Sequence, residues 1–337
     1  MNFLVRGAQR EDMPRLYELA RQFTLLNLPA DKKAIAEKIE RSIASFKGEL
    51  AKPEAAYLFI VEDQAEKYIA GSSQIVAKQG TKKNPAFSFQ VIKRERFSKA
   101  LGVGFIHQIL RLKVTDDGPT EVGGLVVDRA YRRIPEKVGK MVSLSRFIYI
   151  GTNQDKFENE LHSEMAPPLT DEGRSEFWEA LGRRFTGMPY AEADALSQQN
   201  KEFIKSLFPE EDIYLALLDA KARLVLGRVG EQTQAAEHML EKLGFKYKGE
   251  VDPFDGGPHL SVPTKDVTII KQLKTLTAQK GTPKKYEKPG LIGLIRDSTY
   301  LGGSSSYSVD GDKIFFPEPT WNTLALEEGE KVFLTAF

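Results

Sequence analysis

Apolar positions recur along the first half of the chain with two different periods, and the switches between them predict its elements. Phe3–Arg6 reads as a short strand. Leu16, Leu19 and Phe23 fall on one side of a helix over Asp12–Phe23, started near Glu11–Asp12. Asp31 is placed to cap a second helix, in which Ile35, Ile39, Ile43 and Phe46 form the apolar stripe. Ala56–Glu62 and Tyr68–Ala77 read as an antiparallel pair around the polar turn Asp63–Lys67. A variable, partly basic stretch, Lys78–Lys99, follows. Glu121–Val127 then reads as a strand, Lys140–Gly151 as a helix and Asn159–Met165 as the next strand.

The second half is richer in helix signals. Ser175 is a fair N-cap, and Phe177, Leu181 and Phe185 recur at four-residue spacing to give one stripe. Arg183 and Arg184 fall in the last turn, where cations suit the helix dipole. Ala191–Leu207 and Thr233–Leu243 read as further helices, the latter stopped by Gly244 before a strand through Phe245–Val251. Ala278–Gly290 is rich in lysine, proline and glycine and reads as a linker or exposed crossover. Beyond it, Tyr307–Val309 and Lys313–Phe316 flank the hairpin turn Asp310–Gly311, and Lys331–Thr335 follows a Glu–Gly turn. Gly302–Ser306 carries neither signal and reads as a flexible loop.

Composition narrows the classes. A chain of 337 residues with 41% hydrophobic and 28% charged content is ordinary for a soluble globular protein and suggests two or three units. Lys+Arg 48 against Asp+Glu 47 leaves a net charge of +1, which calls for neither nucleic acid nor an anionic membrane as a partner. Without cysteine there are no disulfides, thiolate metal sites or cysteine nucleophile. No segment approaches the apolar length of a bilayer span, and the N-terminus turns charged within six residues, unlike a secretory signal. A cytoplasmic protein is expected.

Four segments carry a family resemblance: DEGRSEFWEALGRRFTGM (Asp171–Met188), DIYLALL (Asp212–Leu218), GEQTQAA (Gly230–Ala236) and GFKYKGEVDPFDGGP (Gly244–Pro258). In this order they resemble the arginine N-succinyltransferase family, over roughly Asn2–Leu260. The resemblance implies an α+β, GNAT-like N-acyltransferase fold: a mixed, mostly antiparallel sheet with flanking helices, enlarged or duplicated, plus a small C-terminal β unit. The element order is compatible with that layout, which other α+β domains share. The expected division is an acyl-CoA-binding half over 1–165, a second helix-rich acyltransferase half over 166–277, and a linker with the β unit over 278–337. The implied reaction transfers a succinyl group from succinyl-CoA to the α-amino group of L-arginine or ornithine, the first step of arginine catabolism by succinylation. The partners are then small molecules, with a homo- or hetero-oligomer open.

Glu121–Lys140 has the clearest mechanism. An acyl-CoA enzyme of this fold sets a strand beside the thioester so that a backbone N–H polarises its carbonyl. The following turn presents N–H groups and cations to the pyrophosphate at a helix N-terminus. Leu125 and Val127 lie on that strand, and Leu125 matches the family position that binds succinyl-CoA. Arg132, Arg133, Lys137 and Lys140 gather charge around Gly139. The family pattern Arg-x-x-Gly-x-Gly is departed from: RRIPEKVGK is two residues longer and has Lys137 at the first glycine, where positive φ is wanted.

Two further departures concern catalysis. The family's general acid is a histidine in a Gly-x-Val-His context, and Leu226–Thr233 places Gly230 there. Glycine transfers no proton, a step to which a positioned group contributes typically about 10²–10⁴-fold. His162 and Glu164, two apart on one strand and so on one face, are the candidate replacement. Glu164 matches a family glutamate; His162 stands where an aliphatic residue is expected. The family also has Arg-Gly after Glu-Met, where this chain has Ala166–Pro167. Asp171, Glu172, Glu192 and Asp194 are candidates to meet a substrate guanidinium. His238 reads as solvated, His107 lacks nearby acids and His259 follows FDGGP in an expected loop; their linear spacing suggests no metal site. A catalytically altered homologue, a regulatory subunit whose partner carries the histidine, or a different acyl donor or acceptor are the alternatives.

Overall fold

The computed structural model describes residues 1–22, 28–197, 201–283, 285–287 and 289–337. It divides into two compact units, neither contiguous in sequence: Met1–Lys78, Thr120–Asn159 and Pro263–Phe337 form the first, Gln79–Pro119 and Glu160–Val262 the second. The C-terminal segment, read from sequence as a separate β unit, belongs to the first unit, and Gln79–Pro119 belongs with the later chain.

In the first unit the strands run in the order Ser308–Asp310, Lys313–Phe315, Lys274–Ala278, Lys331–Ala336, Gly290–Arg296, Thr299–Ser305, Phe3–Gly7, Ala56–Asp63, Tyr68–Val76 and Thr120–Val127. The Lys274–Ala278 and Lys313–Phe315 pair is parallel; the neighbouring ladders are antiparallel. The helix Lys32–Lys47 begins where its sequence says it should, because the Asp31 side chain accepts from the Ala34 N–H at 2.7 Å. Its Ile35 and Ile39 are buried with Leu16, Leu19, Leu58 and Ile60. The first helix is Met13–Arg21, after a 3-10 turn at Arg10–Asp12; Phe23 lies outside the described residues.

Gly302–Ser306 is not a loop. Gly302 to Ser305 complete the strand Thr299–Ser305, paired with Gly290–Arg296 on one side. A Cβ on Gly302 would stand 2.4 Å from Ile292 O, and one on Gly303 would stand 2.8 Å from Phe3 O. The glycines are there for close backbone approach rather than for flexibility.

The second unit orders its strands as Glu160–Glu164, Pro258–Pro263, Lys246–Val251, Thr81–Ser98, Val103–Asp117 and Ile213–Tyr214. The stretch read as variable is half of a long hairpin, with Phe89 opposite Leu112 and Val91 opposite Leu110. Its inner face meets Phe177, Trp178, Leu181, Phe208 and Phe254 in one core. Ser175 caps the helix Glu176–Ala180, accepting from Trp178 N–H at 3.0 Å. The helix then breaks at Leu181, and Gly182–Thr186 forms a separate turn. The Trp178 ring occupies the space of a Gly182 side chain, 2.2 Å from an ideal Cβ. The break rotates Phe185 out of the expected stripe, leaving it 43% exposed. Tyr190–Ser197 and Glu202–Leu207 are two helices, and the residues between Ser197 and Lys201 lie outside the described set.

Candidate active site

On the first unit, the strand Thr120–Val127 carries a bulge. Val126 pairs with Ser72 and Gly123 with Gln74, so Gly124 and Leu125 together oppose Ser73 alone. Gly124 adopts φ +59, which glycine accepts without strain. A bulge takes one residue's backbone out of the ladder, at the place where the sequence reading puts the thioester. Arg146, from the helix Val138–Thr152, holds both lips of this bulge. Its guanidinium donates to Gly123 O at 2.8 Å, Gln74 O at 3.3 Å, Ser143 O at 3.0 Å and Ser143 Oγ at 2.6 Å. Burial pulls this guanidinium down to about 9, opposed by the charge of Glu121.

The strand's end is fixed by Asp128, a buried carboxylate receiving hydrogen bonds from Arg15, from Gln22 at 2.7 Å, from the Tyr68 hydroxyl at 2.9 Å and from Ala130 N–H at 2.8 Å. Burial would raise its pKa, but these donors hold it below the usual range. The chain then turns through Arg132, whose Nε donates to Val127 O at 3.1 Å, and Arg133, at φ +67. Lys137 precedes the helix at φ +54, ψ +49, with no side-chain cap. Lys137, which stands where the family pattern has its first glycine, is thus left-handed, a conformation glycine would adopt with less strain. Gly139 lies where a Cβ would come 3.0 Å from Val127 Cγ2, and Lys140 Nζ stands 4.8 Å from the Phe337 ring centroid. Leu125, Val127, Arg132, Arg133, Lys137, Gly139 and Lys140 therefore follow one another around a single strand-to-helix turn that ends at a helix N-terminus.

The second unit contains a cavity of about 200 Å³, lined in part by Ser88, Lys113, Glu160, Lys248 and Glu250. His162, Glu164 and His259 also line it. His162 and Glu164 share one face of their strand, and His259 comes from the neighbouring strand Pro258–Pro263, not from a loop. His162 is 7% exposed and His259 5%, so neither is a surface histidine. Their Nε2 atoms stand 3.6 and 3.9 Å from Glu164 Oε1, which accepts from Gln79 Nε2 at 2.7 Å. Burial alone would raise the Glu164 carboxyl, but the two histidines and Lys201 hold it below the usual carboxylate range. Burial pushes His259 down to about 4, so its imidazole is neutral near pH 7.

Linear spacing hid His259, because its partners lie on a strand far earlier in the chain. A sequence signal existed: it stands where a strand leads out of the FDGGP turn, in the apolar run PHLSVP. Asp252 was missed by the sequence reading, whereas Asp194 stood among its candidates for a guanidinium. Burial raises Asp252 to about 7 and Asp194 to about 6, the Glu164 charge adding to the effect on Asp252.

Gly230 and Ala166–Pro167, read as separate departures, are in contact. Gly230 N–H donates to Ala166 O at 2.9 Å, and a Cβ on Gly230 would stand 2.7 Å from Pro167 O. Asp171 and Glu172 are exposed, and Glu172 pairs with Arg174 at 3.0 Å within the same turn, away from the cavity lining. His238 is exposed, and His107 stands edge-on to Tyr214. Among the described residues, no helix is long and apolar enough to cross a membrane.

Comparison with known proteins gives the family. The family model for the arginine N-succinyltransferase beta subunit matches residues 3–269. An arginine N-succinyltransferase of Citrobacter koseri is 34% identical over 292 residues, covering 86% of this chain and 84% of the relative. One from Photorhabdus laumondii is 29% identical over 338 residues, covering 99% and 98%. The solved structure of arginine/ornithine succinyltransferase subunit AI from Pseudomonas aeruginosa superposes with a TM-score of 0.86 at 26% identity, covering 99% of this chain and 98% of that one. The fold is a mixed, mostly antiparallel sheet with flanking helices, shared with that subunit, and the chain belongs to the arginine N-succinyltransferase family.

Proposed function

We propose that this chain transfers the succinyl group of succinyl-CoA to the α-amino group of L-arginine or ornithine, with proton transfer moved from the family histidine to the His162–Glu164 pair. The observation that carries the activity is the family match over residues 3–269, in a chain with a bulged strand leading through a basic turn to a helix N-terminus. The acyl-CoA reading assigns the thioester carbonyl to the Gly124–Leu125 bulge. It assigns the pyrophosphate to the first turn of Val138–Thr152, with Arg132, Arg133, Lys137 and Lys140 as its cations.

The amine nitrogen attacks the thioester carbon, the nitrogen–carbon bond forms and the carbon–sulfur bond breaks. One amine proton leaves and the departing thiolate gains one. Glu164 is the acceptor in this reading, on geometry: it lies in a cavity and has an imidazole beside it. The cavity's other charges form two ion pairs, Lys113 with Glu250 at 2.6 Å and Lys248 with Glu160; in this reading a zwitterion with a cationic tail exchanges into them, its carboxylate meeting the lysines and its guanidinium or ammonium the glutamates.

Purified protein is expected to release CoA from succinyl-CoA when arginine or ornithine is supplied, and not without an amine. No release with either amine overturns the activity. The family model and the Pseudomonas aeruginosa structure are both described as subunits, which favours a second reading: CoA binding without turnover by the isolated chain, and turnover only after a partner subunit is added.

A further inference from the structure

His162 Nε2 and His259 Nε2 approach the same atom, Glu164 Oε1, at 3.6 and 3.9 Å. One ligand atom from each of the three residues falls within 4.8 Å of the others. The imidazole rings meet edge to face, centroids 4.7 Å apart and planes at 89°, so the rings are not stacked against each other. A tetrahedral zinc ion bound by imidazole and carboxylate at about 2.0–2.2 Å sets its ligand atoms about 3.3–3.5 Å apart. The two distances to Glu164 exceed that by a few tenths of an ångström.

A second observation is independent of these distances. His259 Nε2 is buried without a hydrogen-bond partner, in a residue only 5% exposed. A buried polar nitrogen in that state is costly unless something arrives to meet its lone pair or proton. Its imidazole is neutral and Glu164 is ionised, the forms in which both residues ligate metals. Gln79 Nε2 already orients the Glu164 carboxylate, as outer partners of metal ligands do. Glu164 also acts electrostatically on the buried Asp252 and Asp255, with Lys201 the nearby cation acting on Glu164 and Asp252, so added positive charge is welcome.

We infer that His162, Glu164 and His259 form a three-ligand site for a zinc-class divalent cation, and that a bound cation silences proton transfer in this cavity. The lone pairs a metal would take are those the reaction needs. The silencing half rests on the function proposed above; the binding half does not.

Full-length protein stripped with a chelator is titrated with Zn²⁺ by calorimetry, beside His162→Asn, His259→Asn and Glu164→Gln. The expected result is one zinc per chain, with affinity at least about tenfold weaker in each variant. Co²⁺ in place of zinc is expected to give visible d–d absorption of a low-coordinate site with nitrogen ligands. That readout needs only the wild-type chain, so it stands even where a variant fails to fold. No saturable zinc binding by the wild type, or unchanged affinity in folded variants, overturns the site. Arginine-dependent CoA release is expected to fall with the calorimetric zinc midpoint and to return with EDTA. Release unaffected or raised at saturating zinc overturns the silencing. Zinc bound through these residues in a protein with no transferase activity sinks the proposed function and upholds the metal site.

Discussion

Restoring a histidine at position 230 is the obvious repair, and the structure predicts that alone it fails. In Gly230→His the new Cβ would stand 2.7 Å from Pro167 O, 3.0 Å from Pro167 C and 3.3 Å from Pro168 N. All three are backbone atoms, so no side chain can turn aside. The contact is pinned from both directions, since Gly230 N–H donates to Ala166 O at 2.9 Å and Thr233 Oγ1 donates to the same oxygen at 3.0 Å. Overpacking of this kind costs about 1–3 kcal/mol, which lowers the melting temperature of a chain this size by roughly 1–4 °C. Thermal unfolding with and without Gly230→His measures the cost, and CoA release measures any gain. The family pattern also has Arg-Gly at 166–167, so adding Ala166→Arg and Pro167→Gly should recover at least about 1 kcal/mol as coupling in a mutant cycle. Gly230→His within about 0.5 kcal/mol of wild type, or additive with the 166–167 change, would refute the reasoning that these departures are one event.

Three other outcomes follow from the same geometry. Arg146→Leu removes four donated hydrogen bonds, two to the bulge and two to Ser143 of its own helix, and hydrogen bonds from a charged group are worth about 1.5–3 kcal/mol each before the arginine's own desolvation is returned. A net loss of about 2–4 kcal/mol in denaturant unfolding is expected, with weaker acyl-CoA binding in whatever fraction stays folded; a variant as stable as wild type contradicts the brace. Lys137→Gly relieves a left-handed lysine worth about 1–2 kcal/mol and adds unfolded-chain entropy of about 0.5–1 kcal/mol, so stability should hold or rise slightly, and a loss above about 1 kcal/mol argues against strain there. Burial raises the Asp194 carboxyl from 3.8 to about 6, and its Oδ1 is buried without a partner. The folded state therefore binds the proton more tightly, and stability falls as pH rises from about 4 to 6. Asp194→Asn should stabilise the protein by about 1–3 kcal/mol at pH 8 and have almost no effect at pH 4; equal effects at both values contradict the assignment.

Much of the local structure was readable because its causes are local. Asp31 and Ser175 cap as their side-chain chemistry dictates, and Ile35 and Ile39 face the core by period alone. The long hairpin was not readable. Past Lys93 its residues are polar on both faces, and the apolar ones near its tip, Phe97, Phe105 and Ile106, are exposed, so no alternation marks a buried side. Phe185 failed for the opposite reason: the period was right, but Trp178 over Gly182 broke the helix carrying it. At the site, His162 and Glu164 were visible as an i, i+2 pair. His259 was not, because the adjacency of two strands is set by the whole sheet of that unit. The left-handed turn at Lys137 was inferable from the displaced glycine. The contact of Gly230 with Pro167 was not, since neither residue type announces it.

The central claim is that a family member with glycine in place of the histidine transfers succinyl groups through Glu164 and His162. Steady-state CoA release from succinyl-CoA, with and without arginine, by wild type beside Glu164→Gln and His162→Asn, tests it most directly. The account predicts arginine-dependent release by the wild type that drops about 10²-fold or more in folded Glu164→Gln and His162→Asn. Wild-type rates in both variants would contradict it.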